Sequence, residues 1–229
     1  EIYTLSLHDA LPIFDYPSDA RQKKFLDDFR ASHPAFASLL DNLNKWGYNS
    51  YSSILKAYDF GNPTRRERLF VIGIRKDKDN GKFKMPEPTE RATTMAPYLL
   101  NEVDKKFFVK EGTVFRKSEA PRRNIGQRIG YLVKSVDKPK QDNLVYDRND
   151  IAPTITAAST YYYIEDKGSF RRLVPEELWG ISGYSKKDWE KIKSFSDFRI
   201  DQFIGNSIAL GPLKAIYSNL KEAFNWEEN

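Results

Sequence analysis

Gly61–Arg75, GNPTRRERLFVIGIR, decides the fold. Gly61, Asn62 and Pro63 form a turn, because Pro63 has no N–H to give to a central strand. Leu69–Ile74 is apolar at every position except Gly73. A short continuous apolar run is the pattern of a strand buried on both faces, as in an α/β sheet. Arg65, Arg66 and Arg68 stand between turn and strand. Three guanidiniums are thus delivered to one end of a buried strand, where open α/β sheets place binding crevices. Guanidinium is always charged and presents a rigid fork of donors, which suits phosphates and base edges. A solvated basic turn beside an ordinary core strand fits the same residues.

Upstream, the mixed charged stretch Phe14–Arg30 reads as a short helix. Ser32 and Pro34 start a second one. Its apolar stripe is Phe36, Leu39, Leu40, Leu43 and Trp46, and Gly47 terminates it. Tyr48–Leu55 has β-type residues. The turn at Gly61 is too short for a helical crossover, so this strand and Leu69–Ile74 are expected to be antiparallel neighbours. Glu1–Ile13, EIYTLSLHDALPI, lacks the basic start of a signal peptide. It looks like one frame of a translated sequencing adapter, with the true N-terminus missing, and is set aside from the fold reading. A genuine N-terminal strand is the other reading.

The 229 residues suffice for one large domain or somewhat more. Hydrophobic residues at 40% and charged residues at 30% are globular proportions. No apolar stretch is long enough to cross a bilayer. A net charge of +5 and a pI near 9.1 are compatible with an anionic partner. There is no cysteine, which removes disulfides, thiolate metal sites and a thiol nucleophile from this chain. With only His8 and His33, neither a histidine centre nor a bound metal is expected.

Downstream, Lys76–Asn149 is rich in Lys, Arg and Pro, with short β-like pieces. Lys105–Arg123 interleaves basic residues with Phe107, Phe108, Val109, Val114 and Phe115. That suits a small β-rich module facing phosphate, and equally the solvated face of a half-buried hairpin. In Arg171–Gly183, Pro175 opens a helix with Glu176 and Glu177 in its first turn. Its buried side is Leu178, Trp179 and Ile181. Ser185 with Asp188 starts another helix, Lys186–Lys193. Gly205-Asn206-Ser207 is read at the start of a helix, as a cap or as donors to a ligand. Leu213, Ile216, Tyr217, Leu220 and Phe224 form that helix's stripe.

GNPTRRERLFVIGIR resembles the eighth motif of the DNA cytosine-5 methyltransferases, Gly-x-Pro-Gln-x-Arg-x-Arg running into a strand. Gly61, Pro63, Arg66 and Arg68 fall on its positions, and Thr64 stands where the family has Gln. Ala152-Pro153-Thr154-Ile155-Thr156 is similar to the Pro-Thr-Leu-Thr pattern at the end of the family's target recognition domain. Arg171, Leu173, Pro175, Glu177, Gly183 and Tyr184 fit the ninth motif, with Val174 replacing Thr and Gly180 an Arg. Gly205, Asn206, Ser207 and Ile208 fit the tenth. The resemblance runs from Trp46 to Leu220.

It implies an α/β fold: the C-terminal portion of a Rossmann-like, S-adenosylmethionine-dependent methyltransferase domain with an inserted β-rich recognition domain. Residues 14–76 would be partial catalytic domain, 77–169 the recognition domain, and 170–229 motifs nine and ten with the returning helix. Arg68 and Arg66 would line the target-base pocket, Asn206 and Ser207 the S-adenosylmethionine pocket. Thr154, Ile155 and Arg65 would contact double-stranded DNA. The ninth motif would brace the recognition domain against the sheet. In this chemistry a thiolate adds to C6 of a flipped cytosine, a carboxylic acid protonates N3, and the enamine attacks the methyl donor. The cofactor loop and the Pro-Cys loop lie upstream in the family and are not in this sequence, so the chain alone is expected to be inactive. The parent would be a monomeric cytoplasmic enzyme of bacterial restriction–modification or phage type. A non-catalytic DNA-binding module, or the complementing half of a split methyltransferase, shares every feature seen here. An unrelated α/β nucleotide-binding protein is a third reading. A truncated sheet would leave faces of Leu69–Ile74 uncovered and the chain poorly soluble.

Overall fold

The computed structural model describes residues 2–5, 19–118, 126, 128–135, 137–157 and 161–226. Of the segments read above, residues 1, 6–18, 119–125, 127, 136, 158–160 and 227–229 lie outside this set. The chain forms two compact units. One is Glu1–Lys56, Glu67–Glu87 and Lys214–Asn229; the other is Ala57–Arg66 and Pro88–Leu213.

The first unit holds a sheet in the order β1-β3-β2 (β1 Ile2–Leu5, β2 Tyr48–Lys56, β3 Glu67–Arg75) with two helices, α1 (Asp19–Ser32) and α2 (Pro34–Lys45). α1 ends where the Ser32 hydroxyl donates to the Asp28 carbonyl at 2.7 Å. Pro34 can then open α2, since its missing N–H would have had no helical partner. Gly47, at φ 85°, turns the chain out of α2 in the left-handed region that glycine tolerates. β2 and β3 pair antiparallel from Tyr48↔Arg75 to Lys56↔Glu67, as the short turn required. Ile2–Leu5, set aside above, pairs antiparallel with the other edge of β3.

Leu69, Phe70, Val71, Ile72 and Ile74 are all buried. This corrects the expectation of an uncovered strand: Leu69 and Val71 pack with Phe29, Phe36 and Leu43 from the two helices. Trp46, expected in the stripe of α2, is 65% exposed because it follows the last helical residue. A last helix, α6 (Leu210–Phe224), enters this unit with Ile216, Leu220 and Ala223 buried at helical spacing. Tyr217, read into that stripe, is exposed. Asn80 donates to the Ala223 carbonyl at 2.7 Å and Asn219 to the Lys84 carbonyl at 3.0 Å, fixing this end of α6.

The second unit is built on five strands in sequential order: β4 (Phe115–Lys117), β5 (Arg128–Leu132), β6 (Leu144–Tyr146), β7 (Tyr163–Asp166) and β8 (Ser169–Arg172). Only the β6–β7 pairing is parallel. Lys167 and Gly168 both have positive φ, the hairpin turn whose twist matches that of the strands it joins. A boundary at residue 169 would therefore cut the β7–β8 hairpin. Helices α3 (Pro175–Ile181), α4 (Lys186–Ile192) and α5 (Asp197–Asn206) follow. Ile155, Ile164, Leu178, Ile181, Ile200 and Ile204 share one apolar core. The Ser185 hydroxyl accepts from the Asp188 N–H at 3.1 Å, the expected cap of α4.

Leu43 is fully buried in the first unit's core. Leu43→Ala should destabilise that unit by about 3 kcal/mol through lost transfer energy and a residual cavity. Urea unfolding followed by far-UV circular dichroism checks this, with Trp46→Ala expected to be near neutral.

Candidate functional site

The basic turn is stitched into the second unit. Residues 63–65 run beside 152–154: Ala152 N–H donates to Pro63 O and Arg65 N–H to Ala152 O, both at 2.8 Å. The Thr64 hydroxyl donates to Pro153 O at 2.9 Å, and the Thr154 hydroxyl to Arg65 O. Arg66 then reaches further. Its guanidinium donates to Ile155 O at 2.7 Å, to Gly205 O at 3.0 Å and to Ser207 O. One buried cation thus binds main-chain oxygens from the end of the β-rich segment and from the end of α5. Gly205 permits this. A Cβ there would lie about 2.1–2.3 Å from the backbone of Thr156 and Ala157.

These positions locate the residues singled out from the sequence. Arg65, Arg66, Thr154, Ile155 and Ser207 are brought together. Arg66 is only 6% exposed and holds backbone, rather than opening toward a base or phosphate. Ile155 is 2% exposed in the apolar core, so its side chain does not reach DNA. Gly205 and Asn206 end α5 and Ser207 is its C-cap, so the triplet does not start a helix as expected. The Ser207 hydroxyl donates to Ile204 O at 2.7 Å, whereas Asn206 is exposed. The start of α6, which was to offer free N–H groups, is already capped: Leu210 N–H donates to Ser182 O and Gly211 N–H to the Asn62 side-chain oxygen at 2.6 Å. Asn62, buried in the turn before Pro63, is a positioning residue that the sequence reading passed over. Arg68 belongs to the first unit, where it donates to Glu67 O at 2.7 Å and burial lowers its pKa.

The ninth-motif residues make an ion-pair network within the second unit. Arg171, with no exposed side-chain surface, donates to both Glu177 oxygens at 2.9 and 2.8 Å and to Asp166 at 2.6 Å. Glu177 also accepts from the N–H groups of Leu100 and Val174. Asp166 takes a further bond from Arg148 at 2.7 Å. Burial works against the Asp166 charge, but Arg171 and then Arg148 hold its pKa below the usual carboxylate value. The β7–β8 hairpin and α3 are thereby fixed together.

Two further features stand apart from the motifs: one takes Arg116 and Lys117 from the basic stretch Lys105–Arg123 read above, and the other is hidden in a helix. A cleft of about 870 Å³ is lined by Arg116, Lys117, Arg128, Gly130, Tyr131 and Leu144 among others. Asp201, on α5, keeps a buried carboxylate oxygen with no hydrogen-bond partner among the described residues. Desolvation, reinforced by Asp197 and opposed by Arg172, pushes its pKa up to about 6.

Arg171→Met should cost about 3–5 kcal/mol, because buried Glu177 loses the cation facing it and Asp166 keeps Arg148 alone; thermal melting at neutral pH measures it. For Asp201 the folded pKa lies above the unfolded value of 3.8. The folded state therefore binds more protons, and stability falls as pH rises from about 4 through about 6. Asp201→Asn should raise stability at pH 8 by about 1 kcal/mol, discounted for partial solvent screening, and give no gain at pH 4. Melting curves at the two pH values check the sign.

Comparison with known proteins places this geometry. The family model for C-5 cytosine-specific DNA methylase matches residues 26–222. The chain is 28% identical to the type II methyltransferase M.HhaI of Haemophilus parahaemolyticus, over 93% of this chain and 68% of that one. It is 27% identical to M.NlaX of Neisseria lactamica, over 82% of this chain and 57% of that one. It thus spans between about half and two thirds of such relatives. Among solved structures, the Entamoeba histolytica methyltransferase EhMeth matches with a TM-score of 0.59 at 17% identity, covering 84% of this chain and 59% of that one. Dnmt2 of S. pombe matches with a TM-score of 0.59 at 16% identity, over 84% of this chain and 62% of that one. The fold is that of part of a Rossmann-like methyltransferase domain. With the model matching from α1 to α6, the chain belongs to the C-5 cytosine-specific DNA methylase family.

Proposed function

We propose that this chain is the DNA-recognising, C-terminal part of an enzyme that methylates C5 of a flipped cytosine within a specific duplex site. One observation carries the reading. Arg66 gathers the eighth motif, the Thr154-Ile155 segment and the Gly205–Ser207 turn on one guanidinium. Three of the four stretches that resemble the family are therefore parts of one local structure. Arg66 acts as a clamp that sets the backbone around it within the second unit, and Arg68 would meet the base, as the family resemblance implies.

S-adenosylmethionine would supply the methyl group. The residues present fit one edge of its site. Asn206 is exposed, with its amide unengaged among the described residues, and so could bind a polar group of the cofactor. The Ser207 hydroxyl donates its one hydrogen bond to Ile204 O, which leaves it to act as an acceptor. The covalent step needs a nucleophile on C6, and this chain contains no thiol. Its own residues would bind DNA and position the base.

The chain should retain duplex DNA on a filter with log K falling linearly against log salt, by about 0.9 for each phosphate neutralised. Given labelled S-adenosylmethionine and duplex DNA, it should transfer no label by itself. Affinity indifferent to salt, or cytosine methylation by the isolated chain, refutes the reading.

A further inference from the structure

The cleft in the second unit carries cations of two kinds. Lys117 and Arg128 line it without an ion-pair partner among the described residues. Arg116 is different. Its Nε and Nη2 both donate to one oxygen of Asp137, at 3.2 and 3.1 Å. The other Asp137 oxygen accepts from the Tyr131 hydroxyl at 2.9 Å. Tyr131 is the cross-strand partner of Arg116 in the β4–β5 ladder. Next to it, Gly130 lets the strands close up: a Cβ there would lie 2.1 Å from the Arg116 carbonyl oxygen. Arg116 is therefore held along one side of its guanidinium by a carboxylate that is itself held from the adjoining strand. Nη1 and the second hydrogen of Nη2, side by side at the half-exposed end of the guanidinium, have no partner among the described residues.

A pair of parallel donors with fixed direction selects its target. In the major groove only guanine presents two adjacent acceptors, O6 and N7. Adenine pairs an acceptor with a donor, cytosine offers a donor, and thymine offers one acceptor beside a methyl group. A phosphate contact needs charge but no such aim, and the untethered Lys117 and Arg128 suffice for it. We propose that Arg116 reads a guanine in the recognised site, with Asp137 as the positioning residue that aims it. This rests on the DNA-binding reading above and adds one base of its specificity.

The test is selection from a duplex pool with a randomised window, using the whole chain. The wild type should enrich guanine at one position. Arg116→Ala should lose that enrichment, about ten- to a hundredfold in discrimination, while preferences at other positions persist. Arg116→Lys keeps the charge but not the fork, and should bind with little loss of affinity and no guanine preference. Asp137→Asn should blunt the preference in the same place. Circular dichroism of each variant should match the wild type; if Arg116→Ala does not fold, Arg116→Lys carries the test. Uniform weakening across sequences, with a salt slope reduced by about one, marks a phosphate contact and overturns the proposal. So does retention without any base preference. Failure of the wild type to retain DNA at all overturns the DNA-binding reading itself.

Discussion

A buried guanidinium bound through its two terminal nitrogens to three main-chain carbonyls is the constraint on which the second unit depends. Arg66 cannot lose its proton, and burying its charge without partners would be prohibitive. Carbonyls of Ile155, Gly205 and Ser207 must therefore converge on it. That convergence forces residues 63–65 beside 152–154, and it forces a glycine at 205 so that two backbones can meet. An arginine that looked like a ligand-binding group acts instead as a tie between segments.

The ninth-motif network solves a similar problem differently. Arg171 meets two carboxylates as well as the Arg172 carbonyl, and both carboxylates accept further hydrogen bonds. Such networks are stable when complete and costly when broken. Asp201, in the same unit, has one carboxylate oxygen without a hydrogen-bond partner among the described residues, and its burial pushes its pKa up. Arg116 represents a third situation, an exposed guanidinium with one side pinned and the other open. The three arginines differ in what surrounds them, not in residue type, and this decides whether each holds the fold or faces a partner.

Much of the architecture could be read directly from residue patterns. The apolar run Leu69–Ile74 had to be a buried strand, Pro34 and Gly47 had to bound a helix, and the turn at Gly61 had to return an antiparallel neighbour. These features are local, set by backbone sterics and burial period. Motif order pointed to the family for the same reason: the order of short motifs survives in a linear chain. What failed was assigning tasks to side chains. Ile155 proved to be core, Gly205–Ser207 ends one helix rather than starting the next, and Trp46 and Tyr217 face outward.

The sequence by itself determined the strand, its flanking helix and turn, the family, and the want of a thiol nucleophile, since each depends on residue identity or near neighbours. Only the tertiary structure decided that Arg66 clamps carbonyls 89 and 141 residues away, that Asn62 caps α6, and that Asp137 aims Arg116. Those roles depend on which distant atoms come within hydrogen-bonding reach, a distance that chain order does not encode.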